Sequence, residues 1–233
     1  MDAATPQLRV KRLRAVLQSV RPFSSPKIEL EQYHTAADLA ARILLLAQSH
    51  GDVAGRTVVD LGCGTAMLAI AARACGAGVV IGVDTDADAL ADAASNLRAL
   101  EMEDGVDLVH SEVGSFCRSV AKRPRPAGVH TVITNPPFGT RTAGADVAFL
   151  EAAAALQPQV IYSLHKTSTR AFLLGRAEEM GYHAEAVAEM AFPLPKAYAF
   201  HRKSEGSVAV DLLRLTRAPP AAATAAAAAA AGE

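Results

Sequence analysis

The sequence predicts a three-layer α/β sandwich built on a mostly parallel sheet, and three observations carry that expectation. From residue 57 to residue 181, short β-branched runs alternate with stretches of helical apolar spacing, the rhythm of successive βα units. A glycine turn, Gly62-Cys63-Gly64, follows the first run, and an acid, Asp84, closes the second. In the last third, 183–191 and 207–215 are extended runs joined without a full helix. The sheet is therefore expected to hold seven strands, with an antiparallel strand at the C-terminal end.

At 233 residues, with 51% hydrophobic and 20% charged content, the chain has the size and apolar content of one domain with a substantial core. A formal net charge of −1 excludes a global electrostatic pull toward nucleic acid, so any such binding needs a local basic patch. Cys63, Cys75 and Cys117 are scattered without a C-x-x-C pair, which argues against a zinc site or disulfide framework and fits a reducing compartment. No apolar run approaches the roughly 18–20 residues of a membrane span. The first 22 residues are Arg-rich and nearly free of acid, a composition shared with transit peptides; otherwise cytoplasm and nucleus are expected.

In chain order, residues 8–20 place Leu13, Val16, Leu17 and Val20 at helical spacing, with Lys11, Arg12 and Arg14 around them. This reads either as a docked surface helix or as a contribution to polyanion binding, and residues 1–29 form an N-terminal helix and linker. The domain proper runs over 30–217. A polar stretch, 30–35, precedes a helix over 36–48, with Thr35 as its expected cap. Strands are expected at 57–61, 79–84, 106–110, 129–134 and 159–164, with helices to about Cys75, over 86–100, 145–156 and 168–180, the last stopped by Gly181. Beyond Pro219-Pro220 the chain is nearly pure alanine, with no apolar–polar contrast to dock it, so 218–233 is expected to be a disordered tail.

The chemistry concentrates in Asn135-Pro136-Pro137-Phe138. A buried β-branched run ends there because the first proline removes a ladder donor and biases Asn135 to an extended conformation. Asn135 offers an amide oxygen, the prolines hold the next carbonyls stiffly, and Phe138 offers a ring. A planar substrate bearing an NH2 group suits this set. The glycine turn lacks the third glycine of a dinucleotide fingerprint, because Met67 stands there, which disfavours a pyrophosphate. A strand-end acid such as Asp84 serves ribose hydroxyls in nicotinamide and S-adenosylmethionine sites alike, and the Asn-Pro-Pro-Phe motif favours S-adenosylmethionine. Asp60 either anchors the turn or approaches the methionine ammonium. Cys63 reads as a small buried residue, and Glu112-Val113 lies where adenine contacts occur in this fold.

Four segments together resemble the methyltransferase-like protein five family: Leu30-Glu31-Gln32-Tyr33-His34-Thr35, Asp60-Leu61-Gly62-Cys63-Gly64, Asn135-Pro136-Pro137-Phe138-Gly139-Thr140, and Tyr162 through Arg170. The resemblance runs from about Leu13 to Leu215 and includes Tyr198 through Lys203. It implies a Rossmann-like class I methyltransferase fold and methylation of N6 of an adenosine in small-subunit (18S) ribosomal RNA. It also implies a heterodimer with the small zinc-binding activator subunit of tRNA-methyltransferase-112 type, expected at a sheet edge near the third strand. Gln32 and Thr35 would touch the cofactor, with Asp60, Gly62, Gly64, Thr65, Met67, Asp84, Glu112 and Val113 completing the pocket. Three departures stand out: His34 replaces a usual proline, Thr65-Ala66 a usual Cys-Gly, and Glu112 an aspartate.

The expected mechanism has the Asn135 oxygen and the Pro136 carbonyl accept the two N–H bonds of the adenine amine, with Phe138 stacking on the base. The base must be unpaired or flipped out. His165, Lys166, Arg170, Lys196, Tyr198, Arg202 and Lys203, with Lys11, Arg12 and Arg14, are the candidate RNA contacts. His165 fits a packing role equally well. The competing readings are a protein glutamine-N5 methyltransferase acting on a release factor, which favours tyrosine after the prolines, and a non-catalytic cofactor-binding scaffold for ribosome assembly.

Overall fold

A computed structural model describes residues 6–122, 128–193 and 207–218. Helices α1 (Pro6–Gln18) and α2 (Ala37–Ser49) precede five βα repeats: β1 (Thr57–Leu61), α3 (Met67–Ala74), β2 (Val79–Asp84), α4 (Ala87–Ala99), β3 (Val106–His110), α5 (Val113–Ala121), β4 (Thr131–Thr134), α6 (Ala145–Ala155), β5 (Val160–Lys166) and α7 (Arg170–Glu179). The chain then adds β6 (Tyr182–Pro193) and β7 (Ser207–Arg217). The sheet order is β3-β2-β1-β4-β5-β7-β6, and β7 alone runs antiparallel, inserted between β5 and β6. The expected architecture and all seven strands are present. α5 was not anticipated: its Val113, Phe116, Cys117 and Val120 follow helical spacing, but Gly114, Ser115 and Ser119 weaken the local signal.

Strand residues alternate between two cores. Val58 packs with α1 to α4 on one face, while Val59 and Leu61 pack with α5 to α7 on the other. Helix α1 is docked: Leu13, Leu17 and Val20 are buried in the first core, Lys11 and Arg12 are exposed, and Arg14 pairs with Asp38 at 2.9 Å. Thr35 does not cap α2. Ala36 occupies the cap position without a side-chain bond, because the Thr35 hydroxyl is engaged elsewhere.

Two bonds bring the functional turns together. Gly62 and Cys63 donate their amides to the Val83 carbonyl at 2.8 and 3.0 Å, seating the glycine turn over the end of β2. The Thr134 hydroxyl donates to the Leu61 carbonyl at 2.7 Å, locking the end of β4 beside the end of β1. Since β1 lies between β2 and β4, the crevice opens where the winding direction reverses, the usual ligand position in such sheets.

Candidate active site

A cavity of about 250 Å³ opens at this crevice, bordered by Gly62, Gly64, Asp84, Glu112, Val113, Asn135 and Pro137 and covered by Phe23 and by Glu29 through Tyr33. A smaller chamber, bordered by Thr35, Asp60, Thr65 and Met67, shares Phe23, Tyr33, Gly62, Gly64 and Asn135 with it. Gly62 and Gly64 have φ of +70° and +52°, a conformation that other residues adopt only with strain. A Cβ on either would come within 2.9 Å of Phe149 or 2.7 Å of Phe23. Phe23 and Phe149 were not singled out from the sequence, since neither belongs to a motif.

Asp84 is 8% exposed, and its oxygens accept from the Gly64 amide at 2.8 Å and the Asp86 amide at 2.9 Å. Burial raises its pKa above the usual carboxylate range. Asp60 is 1% exposed; one oxygen accepts from the Ala69 amide in α3 at 2.9 Å, so it anchors the helix that the turn opens, and the other has no partner. Burial pushes its pKa up to about 7. Cys63 is buried against Gly82, and burial raises its thiol pKa, as fits a packing residue.

The described residues around both chambers include Glu29, Glu31, Asp60, Asp84 and Glu112 but no lysine or arginine. Such a lining opposes a pyrophosphate and suits a ligand carrying positive charge. The unpartnered Asp60 oxygen is an acceptor awaiting a donor, at a cost of about 1–3 kcal/mol while it waits. The ammonium, the sulfonium and the ribose hydroxyls of S-adenosylmethionine match this set of acceptors.

Asn135 donates Nδ2 to the Thr35 hydroxyl at 3.0 Å, and its Oδ1 is buried without a partner. An amide oxygen held in this way is ready for an N–H donor. Pro137 borders the cavity and Pro136 is buried behind it. The loop beyond is held by Glu31, whose Oε1 accepts from the Arg141 amide at 2.7 Å.

One expected role is corrected, that of Phe138, while Gln32 and Glu112 border the cavity and Thr65 and Met67 the smaller chamber. Phe138 does not offer a free face: it is 6% exposed, stacked on Tyr33 with centroids 6.1 Å apart and set edge-on to Phe192 at 5.2 Å, because an apolar ring gains more from two aromatic neighbours than from an open loop. The Glu112 carboxylate caps α5, accepting from the Gly114 and Ser115 amides at 2.8 and 2.6 Å, which holds its pKa below the usual range. Thr65 and Met67 are buried and border only the smaller chamber. Gln32 borders the cavity, but its side chain already bonds the Lys27 amide and Asp86, each at 2.7 Å. Ala66, where the family usually has glycine, sits at φ +67°, a left-handed conformation costing roughly 1–2 kcal/mol.

The RNA candidates divide. His165 is 1% exposed, with Nε2 2.7 Å from the Ser163 hydroxyl and Nδ1 3.6 Å from Asp146, so it packs inside and cannot face a substrate. Arg170 is committed to Asp211, at 2.6 Å through both Nε and Nη2, and to Glu189 at 2.8 Å. Lys166 is half-buried at the end of β5. Lys196, Tyr198, Arg202 and Lys203 lie outside the described residues. Arg141, which sequence reasoning passed over, is exposed beside the cavity, three residues past Phe138.

Comparison with known proteins agrees with this geometry. A family model described as a methyltransferase small domain matches residues 33–159. The chain is 38% identical over 211 residues to the rRNA N(6)-adenosine-methyltransferase METTL5 of Danio rerio, spanning 90% of this chain and 99% of that protein. It is 39% identical over 210 residues to the Drosophila melanogaster protein of the same description, spanning 89% and 96%. A crystal structure from Pyrococcus horikoshii, described as a candidate RNA methyltransferase, superposes with a TM-score of 0.78 at 31% identity, covering 91% of this chain and 98% of that one.

Proposed function

The chain belongs to the methyltransferase-like protein five family of methyltransferase small domains, and from that premise we propose that it methylates N6 of an adenosine in ribosomal RNA, with the small-subunit (18S) RNA as substrate. The observation that carries this reading is the unpartnered Asn135 Oδ1 beside an acid-lined cavity at the glycine turn. S-adenosylmethionine, when bound, supplies a methyl group already activated on a sulfonium, so the residues are left with holding and orienting. Asp84 would accept the ribose hydroxyls, the Glu112-Val113 turn would border the adenine, and Asp60 with the Gly62 turn would receive the ammonium.

The adenine amine is a poor nucleophile because its lone pair is delocalised into the ring. Asn135 Oδ1 and the Pro136 carbonyl accept its two N–H bonds and draw the nitrogen toward tetrahedral geometry, freeing the lone pair for transfer. The proton lost after transfer goes to water. Orientation of this kind is worth up to about 7–11 kcal/mol. Phe138 supports this loop from behind, through its contacts with Tyr33 and Phe192. The base enters unpaired or flipped, and the exposed Arg141 and half-buried Lys166 are the cations assigned in this reading to its phosphates. The names of the relatives favour adenosine over a release-factor glutamine, and the unpartnered Asn135 oxygen favours catalysis over a scaffold.

Two further elements belong to this reading. The zinc-binding activator adds to β3, one edge of the sheet, where Val109 and the neighbouring Ile81 and Phe116 are only partly buried. The protein works in nucleus and cytoplasm, where ribosomal subunits are assembled. The test is methyl transfer from labelled S-adenosylmethionine by the chain co-purified with its activator, offered total RNA, ribosomal RNA and release factor in parallel. Label is expected in small-subunit ribosomal RNA alone; label in release factor, or in no acceptor, overturns the reading.

A further inference from the structure

The segment over the cavity meets the loop after β4 side chain by side chain, in opposite chain directions. Glu31 Oε1 accepts from the Arg141 amide at 2.7 Å, the Tyr33 ring stacks on Phe138, and the Thr35 hydroxyl accepts from Asn135 Nδ2 at 3.0 Å. The intervening Gln32 turns to the cofactor side, donating to Asp86, whose own amide bonds Asp84. This segment thus touches the donor half of the site with one residue and the acceptor loop with three.

We propose that Thr35 is a positioning residue for methyl transfer, holding the NH2 end of the Asn135 side chain so that its carbonyl end faces the acceptor nitrogen. The proposal rests on the reading of Asn135 given above. The two ends of an asparagine amide are nearly alike in shape, so packing alone discriminates poorly between them. Rotated by half a turn, Asn135 would present N–H groups to a substrate that is itself an N–H donor, and transfer would stall. A threonine hydroxyl can bond either end of an amide; here it accepts from Nδ2, and this anchor, which the α2 cap does not use, holds the Asn135 side chain with Oδ1 left for the acceptor. Thr35 is 7% exposed, and Asn135 Oδ1 has no competing donor among the described residues. Glu31 and Tyr33 hold the same loop in register.

Thr35→Val keeps the shape and removes the hydroxyl, and Thr35→Ser keeps the hydroxyl. The single-turnover rate of methyl transfer to ribosomal RNA, the calorimetric affinity for S-adenosylmethionine and the melting temperature are measured for each, with the activator bound. The valine variant is expected to transfer about tenfold more slowly, the worth of one hydrogen bond, with cofactor affinity unchanged. The serine variant is expected to recover most of the rate. Wild-type transfer by Thr35→Val overturns the proposal. So does a loss of rate matched by an equal loss of cofactor affinity, which would make Thr35 a cofactor contact. If the valine variant does not fold, Thr35→Ala against Thr35→Ser carries the same comparison. Absence of transfer to ribosomal RNA by the unmodified protein refutes the substrate reading instead, and the variants are then compared on whichever acceptor is labelled.

Discussion

Asp60 is the residue whose environment has the clearest thermodynamic consequence. Its carboxyl is buried, keeps one bond from the Ala69 amide, and has its pKa pushed up to about 7. The native state therefore holds this proton more tightly than the unfolded chain, whose carboxyl titrates near 4. Its contribution is present below pH 4 and is lost as pH rises toward 7, by at most about 1.4 kcal/mol per pH unit. Asp60→Asn removes that term while keeping an oxygen for Ala69. Denaturant unfolding between pH 5 and 8 is expected to show a more positive slope of stability against pH for the variant than for the wild type; parallel curves contradict the assignment. Asp60 and Asn135 were legible because glycine turns and Asn-Pro-Pro motifs announce themselves. Thr35 was misread because capping preference is a local rule, and a partner one hundred residues away took the hydroxyl.

Among the elements, α1 best separates pattern from role. Its apolar spacing suggested a docked helix and its cations a polyanion contact; the structure buries the apolar stripe in the main core, with Leu17 wholly inaccessible, and leaves Lys11 and Arg12 exposed. Leu17→Ala is expected to lower unfolding free energy by about 2–5 kcal/mol, read by urea titration. A change within about 0.5 kcal/mol, typical of surface positions, would contradict a docked helix. The parallel strands were readable because double burial leaves continuous β-branched runs such as Thr131–Thr134. α5 escaped because it is short and interrupted by glycine and serine. The fates of Phe138 and His165 escaped because an aromatic ring or an imidazole at a strand end looks the same in sequence whether it faces a ligand or the core.

For the whole molecule, the near-neutral charge conceals a division of labour. The cavity is lined with carboxylates suited to a cationic methyl donor, while the exposed Arg141, joined through its amide to Glu31 of that lining, is the cation proposed for a polyanionic acceptor. Sheet order places the glycine turn of β1 and the Asn135 loop of β4 side by side, and the segment from Glu31 to Thr35 spans both. Sequence could name these pieces; their contact had to be seen, because the segment from Glu31 to Thr35 and the Asn135 loop lie about a hundred positions apart and a motif does not state what it touches. The central claim is that Asn135 presents an adenine amine for methylation. It is tested most directly by nucleoside mass spectrometry of small-subunit ribosomal RNA treated with the enzyme, in the presence of the proposed activator, or with its Asn135→Ala variant, at matched S-adenosylmethionine occupancy. The wild type is expected to yield N6-methyladenosine and the variant to yield none above background, whereas wild-type levels from Asn135→Ala would contradict the claim.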